Sequence, residues 1–274
     1  MSLQEAAPLL LVGCGKMGSA LLTGWLQGGL ARESVTIIEP FEGQREALAA
    51  DGLHAVATPA EVAADFAPKL VVMAVKPQQM DAVLADCKPL LRPESLVLSI
   101  AAGCTLARFE AGLGAETAVV RSMPNTPAAV GRGISVLVAN EHVDAAGRAI
   151  CEALMQAAGE VAWVEDEALM DPVTAVSGGG PAYVFLLIET LAEAGVAAGL
   201  SPELAARLAR VTVAGAGELV HQASESPSTL RENVTSPAGT TLEALKILMA
   251  EDGLQPLMTR AIAAASRRSR ELAS

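Results

Sequence analysis

The 274-residue chain is 51% hydrophobic but only 3% aromatic, so it has material for a large core filled by Leu, Val, Ile, Ala and Met. Its formal net charge of −12 disfavours nucleic acid and anionic membrane as partners, because both repel an acidic protein. Cys14, Cys87, Cys104 and Cys151 are widely spaced, form no C-x-x-C pair and have only three His for company, which argues for free thiols in a reducing cytoplasm and against a metal centre.

The opening MSLQEAAP has no basic stretch followed by an apolar one, so no secretory signal is expected. LLLV (9–12), VTII (35–38), LVVMAV (70–75), LVLSI (96–100), AVVRS (118–122), ISVLV (134–138) and VAWV (161–164) predict strands. Their near-continuous apolar character predicts burial on both faces, as in a parallel sheet covered by helices. Helices are predicted between them at 16–27, 42–50, 78–91, 105–111 and 143–158. The alternation predicts an α/β fold, a doubly wound Rossmann-type sheet over residues 1–164.

From residue 165 to 274 strand signals stop, and an all-α domain is expected. Pro181 suits the first turn of a helix over 181–199, and Ser201 followed by Pro202 reads as N-cap and first helical residue of the next. ASESPST (223–229) reads as a polar break, with helices following at about 241–250 and 255–272. Residues 172–188 are uncharged, but SGGGP within them and Glu189 and Glu193 beyond argue for a buried helix rather than a membrane span. A helical half this apolar is expected to bury surface against a partner subunit.

GCGKMG (13–18) fits G-x-G-x-x-G between the first strand and the first helix. Gly13, Gly15 and Gly18 there serve the tight turn, close approach to a pyrophosphate, and helix–strand packing, and the helix N-terminus offers N–H groups to phosphate. Glu39 ends the second strand about 20 residues on, where a carboxylate can bond both ribose hydroxyls and repel a 2′-phosphate, which favours NADH over NADPH. Arg45 could restore NADPH binding, or could be a solvated helix residue. Lys76 in AVKPQQM, SIAAG (99–103) and RSMPNTP (121–127) all stand at strand ends, where open α/β sheets bind ligands. Asn125, between two prolines, is a candidate for facing a nicotinamide. In SPAGTTLEAL (236–245), Thr240 and Glu243 read as a capping box, which leaves Thr241 at the first helical position free and the N–H groups around residues 239–242 open to a carboxylate.

GCGKMG, AVKP, SIAAG, MPNTP, SGGGPAY and SPAGTT, in this order and together with ENVTSP (232–237) and the final AIAAASRRSREL, resemble the pyrroline-5-carboxylate reductases over almost the whole chain. The resemblance implies reduction of the cyclic imine 1-pyrroline-5-carboxylate to L-proline by NADPH or NADH, in a homodimer or a larger homo-oligomer. It assigns Gly13, Lys16, Met17 and Gly18 to the pyrophosphate. Ala74, Val75, Lys76 and Pro77, with Ala101, Ala102 and Gly103, frame the cofactor cleft. Glu167, Gly178, Gly179, Asn233, Ser236, Gly239, Thr240 and Thr241 fall to the substrate pocket, with Thr241 as the catalytic hydroxyl. The sequence departs from the family at Gly179, usually Ser, and at Ala238, usually Gly. The triple glycine reads as a hinge where bare backbone passes close to nicotinamide and substrate. Two alternatives remain open: a reductase of another small imine or carboxylated substrate, and a non-catalytic NAD(P)-binding regulator.

Overall fold

The computed structural model describes residues 2–273. Its strands are β1 (Leu9–Val12), β2 (Val35–Ile38), β3 (His54–Val56), β4 (Leu70–Met73), β5 (Leu96–Ser99), β6 (Ala118–Met123), β7 (Gly133–Ala139) and β8 (Gly159–Trp163). They form one eight-stranded sheet in the order β3-β2-β1-β4-β5-β6-β7-β8, whose order reverses beside β1 as in a doubly wound fold. Every residue of β1, β2, β4 and β5 is buried, which is why these segments read as unbroken apolar runs. All neighbours pair in parallel except β6 and β7. The link between those two holds one 3₁₀ turn, Thr126–Val130, and is too short for a crossover helix, so β7 must return antiparallel.

Helices α1 (Lys16–Gln27), α2 (Glu42–Ala50), α3 (Met80–Cys87), α4 (Leu106–Leu113) and α5 (Ala145–Gln156) cover the sheet. Trp25, Leu21 and Leu154 are buried in one core layer, and Phe109, Met80 and Leu84 in the other. The sequence reading missed β3, whose three residues include an exposed His54 and so show no apolar run. It overextended α3: Pro89 has no N–H to continue an α-helix, and the chain takes a 3₁₀ turn over Lys88–Leu90 instead. All four cysteines are free and buried. Burial pushes the thiols up, Cys87 to about 12.

Beyond β8 the chain is helical: a 3₁₀ turn (Glu167–Leu169), α6 (Met170–Val173), a π-helical turn (Thr174–Gly178), α7 (Gly180–Ala197), α8 (Pro202–Gln222), α9 (Pro227–Asn233), α10 (Thr240–Leu248) and α11 (Leu254–Ala273). Two compact units result: residues up to Gly178 with those from Ser266 onward, and Gly179–Ala265. In the helical unit α7 packs on α8, and a Cβ added at Gly195 would lie 3.2 Å from that of Ala205. Few side chains are buried there, and Phe185, Leu219 and Ile247 are 59%, 64% and 75% exposed. α9 lies partly inside the stretch expected to be a break. Ser226 caps it and Pro227 opens it, the same Ser-Pro signal that starts α8 at Ser201.

Candidate active site

The chain leaves β1 through Gly13, whose φ of +87° and whose ideal Cβ position, 2.9 Å from the Ala74 carbonyl oxygen, exclude any larger residue. Gly15 differs: a Cβ there would meet no atom within 4 Å, so its missing side chain serves space outside the chain. Gly15 is also the N-cap of α1 and offers no capping side chain. The N–H groups of Lys16, Met17 and Gly18 have no acceptor among the described residues. An open cradle of backbone donors at the positive end of a helix is what a pyrophosphate requires, so these residues fit a dinucleotide.

Glu39 follows β2 and is only 4% exposed. Its Oε2 accepts from the Cys14 N–H (2.8 Å) and its Oε1 from the Phe41 N–H (3.0 Å). The carboxylate thus braces the glycine loop, and a ribose diol would share oxygens that already hold backbone. Arg45 Nη1 donates to the carbonyls of Glu39 (2.9 Å) and Pro40 (2.7 Å), so it is a tether of this turn and not a freely solvated side chain.

Ala74, Val75, Lys76 and Pro77 leave the carboxyl end of β4, with the Ala74 N–H still bonded to the Val12 carbonyl. Lys76 is exposed. Ala101, Ala102 and Gly103 turn at the end of β5, with Ala101 N–H donating to Ser99 Oγ and Gly103 at φ +75°. The expected cofactor residues therefore gather at the carboxyl ends of β1, β2, β4 and β5. Asn125 lies beyond the end of β6, but its amide is committed within the chain: Oδ1 accepts from the Ile134 N–H (2.9 Å) and Nδ2 donates to the Ser177 carbonyl (3.2 Å). That carbonyl is available because Pro181, four residues on, has no N–H to donate to it.

Glu167 is likewise engaged. Its Oε1 accepts from Arg121 Nη1 and from the Leu106 N–H at the start of α4, both at 2.8 Å. Two arginines that tie the strand ends together escaped the sequence reading. Arg121 is 4% exposed in β6, and Arg108 joins Asp81 (2.7 Å) to the Pro77 carbonyl (3.1 Å). A cation inside the apolar run AVVRS was the available signal for Arg121. Gly178 faces Met123, whose methyl occupies the space a Cβ would need. Gly179, at φ −79° and ψ −21°, has ordinary helical backbone, so the glycine triplet is a continuous helical passage and not a loop.

Within the helical unit, Asn233 ends α9 and is exposed, and the Gly239 N–H donates to the Ser236 carbonyl at 3.0 Å. The expected capping box at Thr240 does not form. Gly239 is the N-cap, Thr240 and Thr241 open α10, and Glu243 pairs with Lys246 at 2.7 Å. The turn in which the Gly239 N–H donates to the Ser236 carbonyl starts the helix one residue early, so the Thr240 hydroxyl is not used as a cap. Neither threonine N–H nor hydroxyl has a partner among the described residues, in contrast to α4, α5, α8 and α9, whose first turns are capped by Thr105, Asp144, Ser201 and Ser226. Ala238, just before, has a left-handed φ of 58°.

A family model described as pyrroline-5-carboxylate reductase dimerisation matches residues 167–272, and one described as NADP oxidoreductase coenzyme F420-dependent matches residues 9–103. The chain is 42% identical to the pyrroline-5-carboxylate reductase of Pseudomonas aeruginosa over 97% of its own length and 96% of the relative's. It is 40% identical to that of Synechocystis over 96% and 97%. Among solved structures, a pyrroline-5-carboxylate reductase from Coxiella burnetii superposes with a TM-score of 0.91 at 34% identity, covering 98% of this chain and 99% of that one. The Plasmodium falciparum enzyme with NADP bound gives 0.82 at 32%, with the same coverage. Open donor cradles at both Gly15 and Gly239, on a doubly wound sheet followed by helices, accord with this likeness along the full length: the chain belongs to the pyrroline-5-carboxylate reductase family.

Proposed function

We infer that this protein reduces the cyclic imine of 1-pyrroline-5-carboxylate to L-proline with NADPH or NADH. The observation that carries the reading is the uncapped start of α10: a helix N-terminus with two free N–H groups and two free hydroxyls suits a carboxylate on a small, polar ring. When bound, the nicotinamide supplies the hydride for the imine carbon. The N–H groups of Thr240 and Thr241 hold the substrate carboxylate, with Asn233, Ser236 and Gly239 shaping the pocket. The Thr241 hydroxyl hydrogen-bonds the ring nitrogen and holds the proton there. Lys16, Met17 and Gly18 receive the pyrophosphate at the start of α1.

On cofactor choice, the Glu39 charge at the end of β2 repels a 2′-phosphate, and Arg45, bound to two carbonyls, offsets it only in part. This favours NADH. The helical segment 167–197, in which an 18-residue window reaches a mean hydropathy of 1.3 that would also suit a membrane span, is read as subunit interface. It carries Glu189, Glu193 and the glycine triplet, and lies within the stretch matching the dimerisation model. Four unpaired thiols suit a cytoplasmic setting. The test is loss of reduced-nicotinamide absorbance with pyrroline-5-carboxylate, run in parallel with NADH and NADPH. Turnover with kcat/KM higher for NADH supports both parts. Turnover that favours NADPH overturns the role of Glu39 alone, and binding without turnover supports the regulator reading.

A further inference from the structure

Arg121 and Met123 lie two apart on β6, and Asn125 follows two further on in extended backbone (φ −129°, ψ 165°), so all three side chains project from one face. All three meet the segment 167–178. Arg121 pairs with Glu167 at its start, Asn125 Nδ2 bonds the Ser177 carbonyl near its end, and Met123 fills the space beside Gly178. The same groups reach the neighbouring elements: Glu167 Oε1 also holds the Leu106 N–H that follows the SIAAGC turn, and Asn125 Oδ1 holds the start of strand β7 through the Ile134 N–H. Each polar tie is buried or half-buried, where a broken bond strands its partner. The segment so held contains a π-helical turn, a feature frequent at functional sites, and Pro181 leaves the Ser177 carbonyl without its α-helical donor.

We propose that Arg121, Met123 and Asn125 are positioning residues for the reaction, a three-point rail that fixes the 167–178 segment and the SIAAG turn in one register. None of the three touches substrate in this scheme. They act through Glu167, Ser177 and Gly178, and the proposal rests on the reductase reading. The rail also explains why glycine stands at 178: a methyl there would displace Met123.

The test uses the full-length protein in four variants, R121K, N125A, G178A and the pair G178A/M123A. Steady-state kinetics are measured with pyrroline-5-carboxylate, NAD(P)H affinity by fluorescence, and amide hydrogen exchange over residues 174–178 without any ligand. R121K keeps the charge but loses the planar fork, and N125A removes only one amide, so both are expected to fold. Misplacement on the order of 1 Å lowers kcat by about 10- to 100-fold, while cofactor affinity stays within about twofold and exchange of residues 174–178 quickens by about tenfold. Truncating Met123 restores at least half the turnover lost in G178A. Unchanged kcat and unchanged exchange in both R121K and N125A overturn the rail, and so does a G178A defect that M123A leaves untouched. A wild-type protein without turnover sinks the reductase reading, while the exchange measurement still decides whether the three residues hold the segment.

Discussion

Gly15→Ala separates what glycine does for the fold from what it does for a ligand. Gly15 has φ −70° and an empty sphere of 4 Å around its ideal Cβ position, so a methyl strains nothing within the chain. The fold loses only the difference between Gly and Ala as N-cap, about 0.5–1 kcal/mol, or a melting shift of about 1–4 °C for a chain of this size. The methyl, however, enters the open space at the start of α1 that a pyrophosphate would occupy. Displacing a phosphate from even one such charge-assisted bond costs about 1.5–3 kcal/mol, so NAD(P)H should bind roughly 10- to 100-fold more weakly. Gly13→Ala is the contrast: a positive φ and the Ala74 carbonyl at 2.9 Å put its damage in the fold, at about 2–4 kcal/mol. Fluorescence titration with NADPH and NADH, beside thermal melts of the ligand-free variants, reads both quantities. A Gly15→Ala protein that melts near wild type and binds both cofactors at wild-type affinity would refute the argument.

Thr241→Val keeps the volume and the N–H but removes the free hydroxyl; kcat/KM for the imine should drop at least about 100-fold with NAD(P)H affinity unchanged, as steady-state kinetics and titration will show. Ala238→Gly removes a left-handed non-glycine residue and should raise the unfolding free energy by about 0.5–1 kcal/mol, the strain relieved less the entropy of the new glycine; a lower denaturation midpoint refutes the strain. The four thiols are buried and their pKa values raised, so a thiol reagent at pH 8 should label none of them in the folded protein and all four in denaturant. Rapid labelling of one thiol in the native state would contradict the burial.

Much of the architecture was legible in the chain. β1, β2, β4 and β5 are buried on both faces and therefore apolar at every position, and α1 and α2 begin and end where the helical pattern does. The glycine loop was legible because a strand, a turn and a helix in succession give each glycine a local task. α9 could have been found from Ser226 and Pro227, whereas β3 is too short to show a period.

The side-chain partnerships were not legible, because they join residues far apart in sequence. Asn125 reads as a polar group at a ligand-binding edge, but Ile134 and Ser177 consume its amide, and Glu167 reads as a pocket carboxylate until Arg121 and the Leu106 N–H are brought to it. At α10 the S/T-x-x-E pattern is equally local, yet the turn through Gly239 moves the helix start and leaves both threonine hydroxyls uncapped. Hydrophobic period, glycine spacing and ordered motifs act over a few residues, and those the sequence by itself determined. Which buried donor meets which acceptor depends on strands and loops converging from 50 residues or so away, since a buried polar group takes whatever partner the packed chain provides. Only the tertiary structure decided that.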